Sequence, residues 1–421
     1  MDYQDSLEFA QHKDQIDSLK DFRDQFHIPE LNGKASIYFT GNSLGLQPKT
    51  TAKYVNEELE GWATLGVEGH FHSNKRPWFE YHKFSKETLS KIMGANPSEV
   101  VSMNSLTTNL HLLLISFYRP TKERYKIIME AGAFPSDQYA VESQIKLHGF
   151  DYEDALIEVH PKEGKNTLDI DDINSAIDEA GDSLALVLFG AVQYYTGQFF
   201  PIKEITEATH KVGAIAGFDL AHAAGNVPLS LHDDEVDFAA WCTYKYLNSG
   251  PGGISGIFVH DKHGLNPDTP RLAGWWGHDE SSRFKMEKGF KPMPGADGWQ
   301  TSNVNIMSSA INLAALEIFD KAGMEALRKK SIELTGFLEF LLKKLEGIRI
   351  ITPENPAERG CQLSLEAKKN GKAAFNQLTE AGVVADWREP NAIRVAPVPL
   401  YNTFSEVYRF YDILKQAVPN E

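Results

Sequence analysis

The chain has 421 residues, 42% hydrophobic and 24% charged, enough apolar material for a large core in an ordinary globular protein. Its formal net charge of -16 argues against a nucleic-acid partner, which would want a basic face. Two cysteines, Cys242 and Cys361, are too few for a disulfide framework or zinc cluster. The polar, acidic start MDYQDSLEFAQHKDQ is unlike a secretory signal or an arginine-rich transit peptide. No run approaches the roughly 20 apolar residues of a membrane span, so the expectation is a cytoplasmic protein of enzyme size.

In chain order, short apolar runs alternate with helical patterns. The predicted strands are Val100–Met103, Lys126–Glu130, Leu156–Val159, Leu184–Phe189, Ile215–Asp219, Phe238–Thr243 and Ile254–His260. Amphipathic stretches such as Ile170–Ala180 and Ile202–Val212 lie between most of them. Strands separated in this way imply βαβ units, hence an α/β fold with a mainly parallel seven-stranded sheet covered by helices on both faces. A Gly/Pro turn joins the last two strands and leaves no room for a helix, so one of them is expected to run antiparallel.

After about Asn305 the pattern changes to a long helical region, Ile306–Glu346, with Leu334, Leu338, Leu341 and Leu342 at helical spacing. Strands are expected at Ile348–Ile351, Gln362–Leu365 and Ile393–Ala396, with a helix near Lys372–Ala381. The expected division is an N-terminal helical segment, 1–35, joining a small α+β domain, 306–421, beside a large domain, 36–305.

The stretch CTYKYLNSGPGG places Lys245 between two tyrosines at the end of a strand. A lysine there can simply reach solvent. The strand GAIAGFDLAH, however, ends in Asp219 and His222, and ligands of open α/β sheets sit beyond the carboxyl ends of the strands. A lysine and a carboxylate brought together there suit pyridoxal phosphate: the lysine bonds the aldehyde and the carboxylate pairs with the pyridinium nitrogen. Between a strand and an apolar helix, MNSLTTNLHLLL offers Ser105, Thr107 and Thr108 as a phosphate cradle. FPSDQYA offers Phe134 to stack on the ring and Asp137 at a helix start. Each feature alone reads equally well as a cap or as core.

Together these residues resemble kynureninase, of the aspartate-aminotransferase-like, fold type I pyridoxal-phosphate enzymes. The resemblance runs through FTGNSLGL, NKRPW, MNSLTTNLHLLL, FPSDQYA, VQYYTGQ, GFDLAHAAGNV, WCTYKYLNSGPGG, GWWGH, TSN and IRVAPVPLYN, nearly the whole chain. It implies PLP-dependent hydrolysis of L-kynurenine or L-3-hydroxykynurenine to L-alanine and an anthranilate, in tryptophan catabolism or NAD biosynthesis. By the same match Lys245 is the covalent lysine, Asp219 the pyridinium partner, and Asp137 and His222 close neighbours of the cofactor. Leu106 and Thr107 match phosphate-loop positions and Phe134 the stacking residue. Tyr244 matches a phosphate-contacting tyrosine that also transfers protons. Trp275 and Asn303 match positions that complete the site from a neighbouring subunit, which implies a homodimer. Ser43, His70, Asn303 and Arg394 match substrate-binding positions, with Arg394 on the amino-acid carboxylate and His70 lining the aromatic pocket. One departure is Gly190, where some relatives carry a serine near the phosphate.

Three rivals fit less well, and against the third, a cofactor-binding protein that has lost its activity, stand the intact Lys245, Arg394 and Tyr244. Cysteine desulfurases share the architecture but need an accessible thiol, and Cys242 and Cys361 both lie in apolar settings. The glycines of GPGGISG precede a strand and miss the spacing of a nicotinamide-binding loop. His70 and His72 alternate as on a strand and, with His82, have no cysteine or paired carboxylate at ligand spacing, so no metal is expected.

Overall fold

Seven apolar runs form a single mixed sheet in a computed structural model that describes residues 2–72 and 75–418. The strands are β1 (Val100–Ser102), β2 (Lys126–Glu130), β3 (Leu156–Val159), β4 (Leu184–Gly190), β5 (Ile215–Asp219), β6 (Phe238–Trp241) and β7 (Gly256–Val259). Their order across the sheet is β1-β7-β6-β5-β4-β2-β3. Six strands point the same way; β7 runs antiparallel to both its neighbours, as the tight Gly/Pro turn requires. Both faces are dry. Ala239 and Trp241 of β6 belong to one buried cluster, Phe238 and Ala240 to the other, the alternation expected of a pleated strand covered on both sides.

Helices supply the two covers. The helices α1 (Leu7–Ile16), α2 (Thr51–Leu65), α3 (Leu106–Phe117), α4 (Pro135–Leu147), α5 (Ile170–Ala180) and α6 (Ile202–Lys211) precede or punctuate the sheet. Leu110 and Leu113 of α3 and Val141 and Ile145 of α4 pack on one face. Ile173 and Ile177 of α5 and Ile202 and Ile205 of α6 pack on the other.

The expected single helical region after Ile306 is two helices, α7 (Ile306–Ala322) and α8 (Met324–Leu342). Gly323, at φ 74°, ends the first and opens the second, a backbone state that costs glycine least. Leu316, Ile318 and Phe319 of α7 join the core of the large sheet, whereas Leu334, Phe337, Leu338 and Leu341 of α8 join a separate core. That second core covers an antiparallel sheet of β8 (Ile348–Ile350), β9 (Leu363–Ala367), β10 (Asp386–Arg388) and β11 (Ala392–Val395), ordered β8-β9-β11-β10. The expected strands match β8, β9 and β11 to within two residues; β10 was not expected. Helices α9 (Gly371–Glu380) and α10 (Phe404–Ala417) complete this layer. Ala10 of α1 is buried in the same core, and Lys13 of α1 pairs with Glu333 of α8 at 2.5 Å.

His70 and His72 lie in a short helical turn, Gly69–His72, not on the alternating strand that their spacing suggested. His70 is within hydrogen-bond distance of the Val67 carbonyl and meets Trp78 edge-on. Asn74, the first residue of the NKRPW block, lies outside the described residues. Among the described residues, no helix is long and apolar enough to cross a membrane.

One close approach ties the N-terminal loop to the lysine loop. The Gly45 amide donates to the Tyr244 carbonyl at 2.8 Å, and a Cβ on Gly45 would lie 2.2 Å from the Lys245 carbonyl oxygen. Gly45→Ala is therefore expected to cost about 1–3 kcal/mol, the range for overpacking. Its thermal unfolding should fall by several degrees below the parent chain. An unchanged midpoint would mean that the two loops are free to part.

Candidate active site

Three neighbouring strands end at one cavity. β2 delivers Glu130, β4 Gly190 and β5 Asp219, and Gly190 stands in register beside Asp219. The turn after β6 brings Tyr244 and Lys245 to the same place, and the segment after β1 brings the first turn of α3. The cavity, about 190 Å³, is lined by Leu106, Thr107, Phe134, Asp137, His222, Tyr244 and Lys245 together with Glu130, Asp219 and Tyr194. It sits beyond the carboxyl ends of parallel strands, where an open α/β sheet leaves room for a ligand.

The charged groups are arranged around Lys245. Its Nζ is 5.8 Å from the centre of the Phe134 ring and 5.9 Å from that of Tyr244. Asp137, in the first turn of α4, is hydrogen-bonded to Asp219, and both carboxyls are buried. Burial raises both; the Asp219 charge then adds to the rise at Asp137, while the hydrogen bond and Lys245 hold Asp219 down. Asp137 thus carries the proton and Asp219 the charge. The Asp219 Oδ1 also accepts the Ala221 amide at 2.6 Å.

His222 is buried, and its Nδ1 has no partner among the described residues. Burial, then the charges of Lys245, Arg394 and Arg388, push it well below the usual imidazole value, so the ring is neutral. Tyr244 is driven the other way, by burial first and Cys242 next, and remains a phenol. On the opposite wall the exposed amides of the first turn of α3 join hydroxyls. Thr107 Oγ1 lies 2.8 Å from Ser136 Oγ, and Ser105 Oγ 3.0 Å from Thr108 Oγ1. Helix-start amides beside hydroxyls suit a phosphate dianion.

A pyridoxal phosphate fits this donor set. The wall offers a primary amine, one ionised and one neutral carboxyl in contact, an unpartnered imidazole nitrogen, and an anion cradle across the cavity.

Arg394 comes from the other sheet. It is buried on β11, directly opposite Asp386 of β10, and its Nη2 pairs with that carboxylate. Its Nη1 donates to the Tyr194 carbonyl at 2.7 Å, and its Nε has no partner among the described residues. The guanidinium does not line the cavity itself; it lies behind Tyr194, 5.9 Å from that ring's centre, and the Tyr194 ring meets Phe134 edge-on. Ser43, His70, Trp275 and Asn303 do not line the cavity of the single chain either. Trp275 is 41% exposed and sits edge-on to Phe284; Ser43 and Asn303 are exposed.

Glu130 and Tyr194 were missed from the sequence. The signal for Glu130 was present: KIIME ends in an acid just as IAGFD does. Among the described residues, Glu99, His232 and His260 come close enough to share a metal ion. They lie at the opposite strand ends, and Glu99 already accepts the amides of Asn96 and Asp261 and the His232 ring.

Comparison with known proteins gives one family. Residues 327–414 match the family model described as the kynureninase C-terminal domain. The chain is 55% identical to a kynureninase of Flavobacterium psychrophilum over 423 aligned positions, covering 99% of each. It is 53% identical to one from Myxococcus xanthus, covering 98% of this chain and 97% of that one. Among solved structures, a mutant of C-DES with glycine covalently linked to its PLP cofactor superposes with TM-score 0.78 at 18% identity, covering 94% of this chain and 99% of that one. An apo cysteine desulfurase from Thermococcus onnurineus gives 0.75 at 18% identity, covering 91% and 94%. At that identity the likeness is one of fold.

The two thiols separate fold from chemistry. Cys242 and Cys361 are buried, and burial pushes them up to about 11 and about 12. Thiolate is the nucleophile, so neither is expected to react with a maleimide in the native protein at mildly alkaline pH. Both should react after unfolding. Rapid native labelling of either would restore a persulfide-forming reaction to consideration.

Proposed function

This chain belongs to the kynureninase family, and we propose that it hydrolyses L-kynurenine or L-3-hydroxykynurenine to L-alanine and anthranilate or 3-hydroxyanthranilate, a step of tryptophan catabolism. It is a pyridoxal-phosphate enzyme. The observation that carries the reading is the cavity itself, with one lysine facing a charged and a neutral carboxyl that share a proton.

The cofactor supplies an electron sink for a carbanion formed on the amino acid. The residues do the rest. Asp219, kept ionised by the Asp137 proton and by Lys245, holds a proton on the ring nitrogen. Lys245 would hold the cofactor through its aldehyde carbon, and its amine is the base placed to take the substrate's α-proton and to return one to Cα. Over the whole reaction one water is consumed across the Cβ–Cγ bond, its hydroxyl going to the γ-carbon, which leaves as the carboxyl of the anthranilate, and a hydrogen going to Cβ, which becomes the methyl of alanine. Tyr244, held as a phenol, returns a proton to Cβ. Each such general acid–base step typically contributes about 100- to 10,000-fold. The α3 start, with Leu106 and Thr107, receives the phosphate, and Phe134 covers the ring. His222, neutral, adds no charge beside Asp219 and keeps a ring nitrogen free for the ligand.

Arg394 takes the substrate carboxylate through the edge bearing its unpartnered Nε. Asp386 and the Tyr194 carbonyl fix the other end of the guanidinium, so the fork is held before substrate arrives. Ser43, His70 and Asn303 contact the aromatic half of the substrate, where pairing the 3-hydroxyl would set the preference between the two kynurenines.

A homodimer accounts for the residues left outside the cavity. Trp275 and Asn303 of each chain complete the site of the other. Exposed apolar side chains support this: Phe71 stacks on Phe79, Phe79 on Phe284, and Trp275 meets Phe284, with Phe71, Trp275 and Phe284 all exposed. A contiguous exposed aromatic surface of this kind marks an interface.

Incubating the purified, cofactor-loaded protein with each kynurenine should yield alanine and the matching anthranilate in equal amounts. Absence of both products from both substrates would defeat the reading. Asp219→Asn should still bind cofactor but lose about a thousandfold in kcat, since a neutral amide cannot hold the ring nitrogen protonated; that is a loss of about 4 kcal/mol. Turnover within a few-fold of the parent would remove Asp219 from the role.

A further inference from the structure

Glu130 is a buried acid that none of the steps above uses. It lines both the Lys245 cavity and a second one of about 360 Å³ that Gln193, Tyr194 and Gln198 also line. What holds it is slight. The Gly190 amide lies 3.2 Å from both carboxyl oxygens, so one donor is shared between them, and the only other contact is its own backbone N–H. Among the described residues, no lysine, arginine or histidine lies within ion-pair distance of it. The titratable groups lining the same cavity are Asp137, Tyr194, Asp219, His222, Tyr244 and Lys245, and Tyr195 and Glu389 line the second one. Of these, the two aspartates repel a charge on Glu130, and Lys245 is turned to them.

An ionised carboxylate in such a place would be buried without a counter-charge, and a group so placed takes up a proton instead. Burial raises Glu130 to about 8. As a neutral acid it carries an O–H donor, and no neighbouring side chain is hydrogen-bonded to it. Gly190 contributes by what it lacks: a Cβ at that position would sit 3.0 Å from Glu130 Oε1, against the acid.

We propose that Glu130 is a cofactor-contacting residue, a neutral carboxylic acid held by the Gly190 amide that donates its O–H to an oxygen of the pyridoxal phosphate bound in this cavity. The proposal rests on the cofactor reading above. It also explains how Asp219 can remain the one negative group at the ring, since a charged Glu130 would compete with it for the same proton.

Two variants and two readouts test it. Glu130→Gln keeps an oxygen for the Gly190 amide and an N–H donor for the cavity; Glu130→Leu keeps neither. Titrating apoenzyme with pyridoxal phosphate by absorbance, Gln should bind within about threefold of the parent and Leu at least about tenfold more weakly, the size of one net hydrogen bond. Parent affinity should weaken as pH rises through about 8, where Glu130 loses its proton, and the Gln variant should not share that loss. Independently, infrared spectra of the apoenzyme at neutral pH should contain a protonated carboxyl band that Glu130→Gln removes. If no such band is lost, or if Gln binds as poorly as Leu, the donor role is wrong. Should Leu fail to fold, the infrared difference and the Gln pH comparison still decide. A parent chain that binds no pyridoxal phosphate would defeat the cofactor reading and this proposal with it, while the infrared band alone reports the state of Glu130.

Discussion

A single proton between Asp137 and Asp219 sets the terms for the rest of the site. Two carboxylates buried in contact cannot both ionise; here one acid gives the other a hydrogen bond and stays neutral. The pair then presents one negative charge, next to Lys245. His222 and Tyr244 follow the same rule from opposite sides, His222 kept neutral by burial and then by nearby cations, Tyr244 kept protonated by burial first. A cavity that would otherwise hold several mismatched charges therefore presents one carboxylate beside Lys245.

The fold produces that arrangement by ending strands together. β2, β4 and β5 are adjacent and parallel, so Glu130, Gly190 and Asp219 arrive at one level without any long loop to order. The lysine turn is then pinned from outside by the Gly45 amide. The cradle for an anion comes from α3, whose start lines the same cavity. Arg394 arrives from a different sheet altogether, carried by β11 and steadied by Asp386 across the strand pair. One sheet thus builds the Lys245 cavity and the other carries Arg394, the two meeting through Tyr194.

Much of this was legible in the sequence, for reasons that can be named. Parallel strands buried on both faces read as uninterrupted apolar runs, so Lys126–Glu130, Leu156–Val159 and Ile215–Asp219 were found to the residue. Lys245 and Asp219 stood out because a charge that closes an apolar run is conspicuous. Glu130 closes one too, but without a second motif beside it the acid passes for a cap. β10 was hidden because Asp-Trp-Arg carries no apolar run; its pairing with β11 defines it. Helix α10 was left out although Thr403 and Glu406 form a capping box that signals its start. His70 and His72 misled because two residues of alternation cannot separate a strand from one helical turn. Ser43, His70, Trp275 and Asn303 have roles that the resemblance implies and that no contact within one chain accounts for.

The account stands or falls on which amine the paired carboxyls select. Borohydride reduction of the cofactor-loaded protein, followed by proteolysis and mass spectrometry of the peptides, reads this directly. The account requires the pyridoxyl group on the peptide containing Lys245, at close to one per chain. Cofactor fixed to a different lysine, or spread over several surface lysines with Lys245 unmodified, would contradict it.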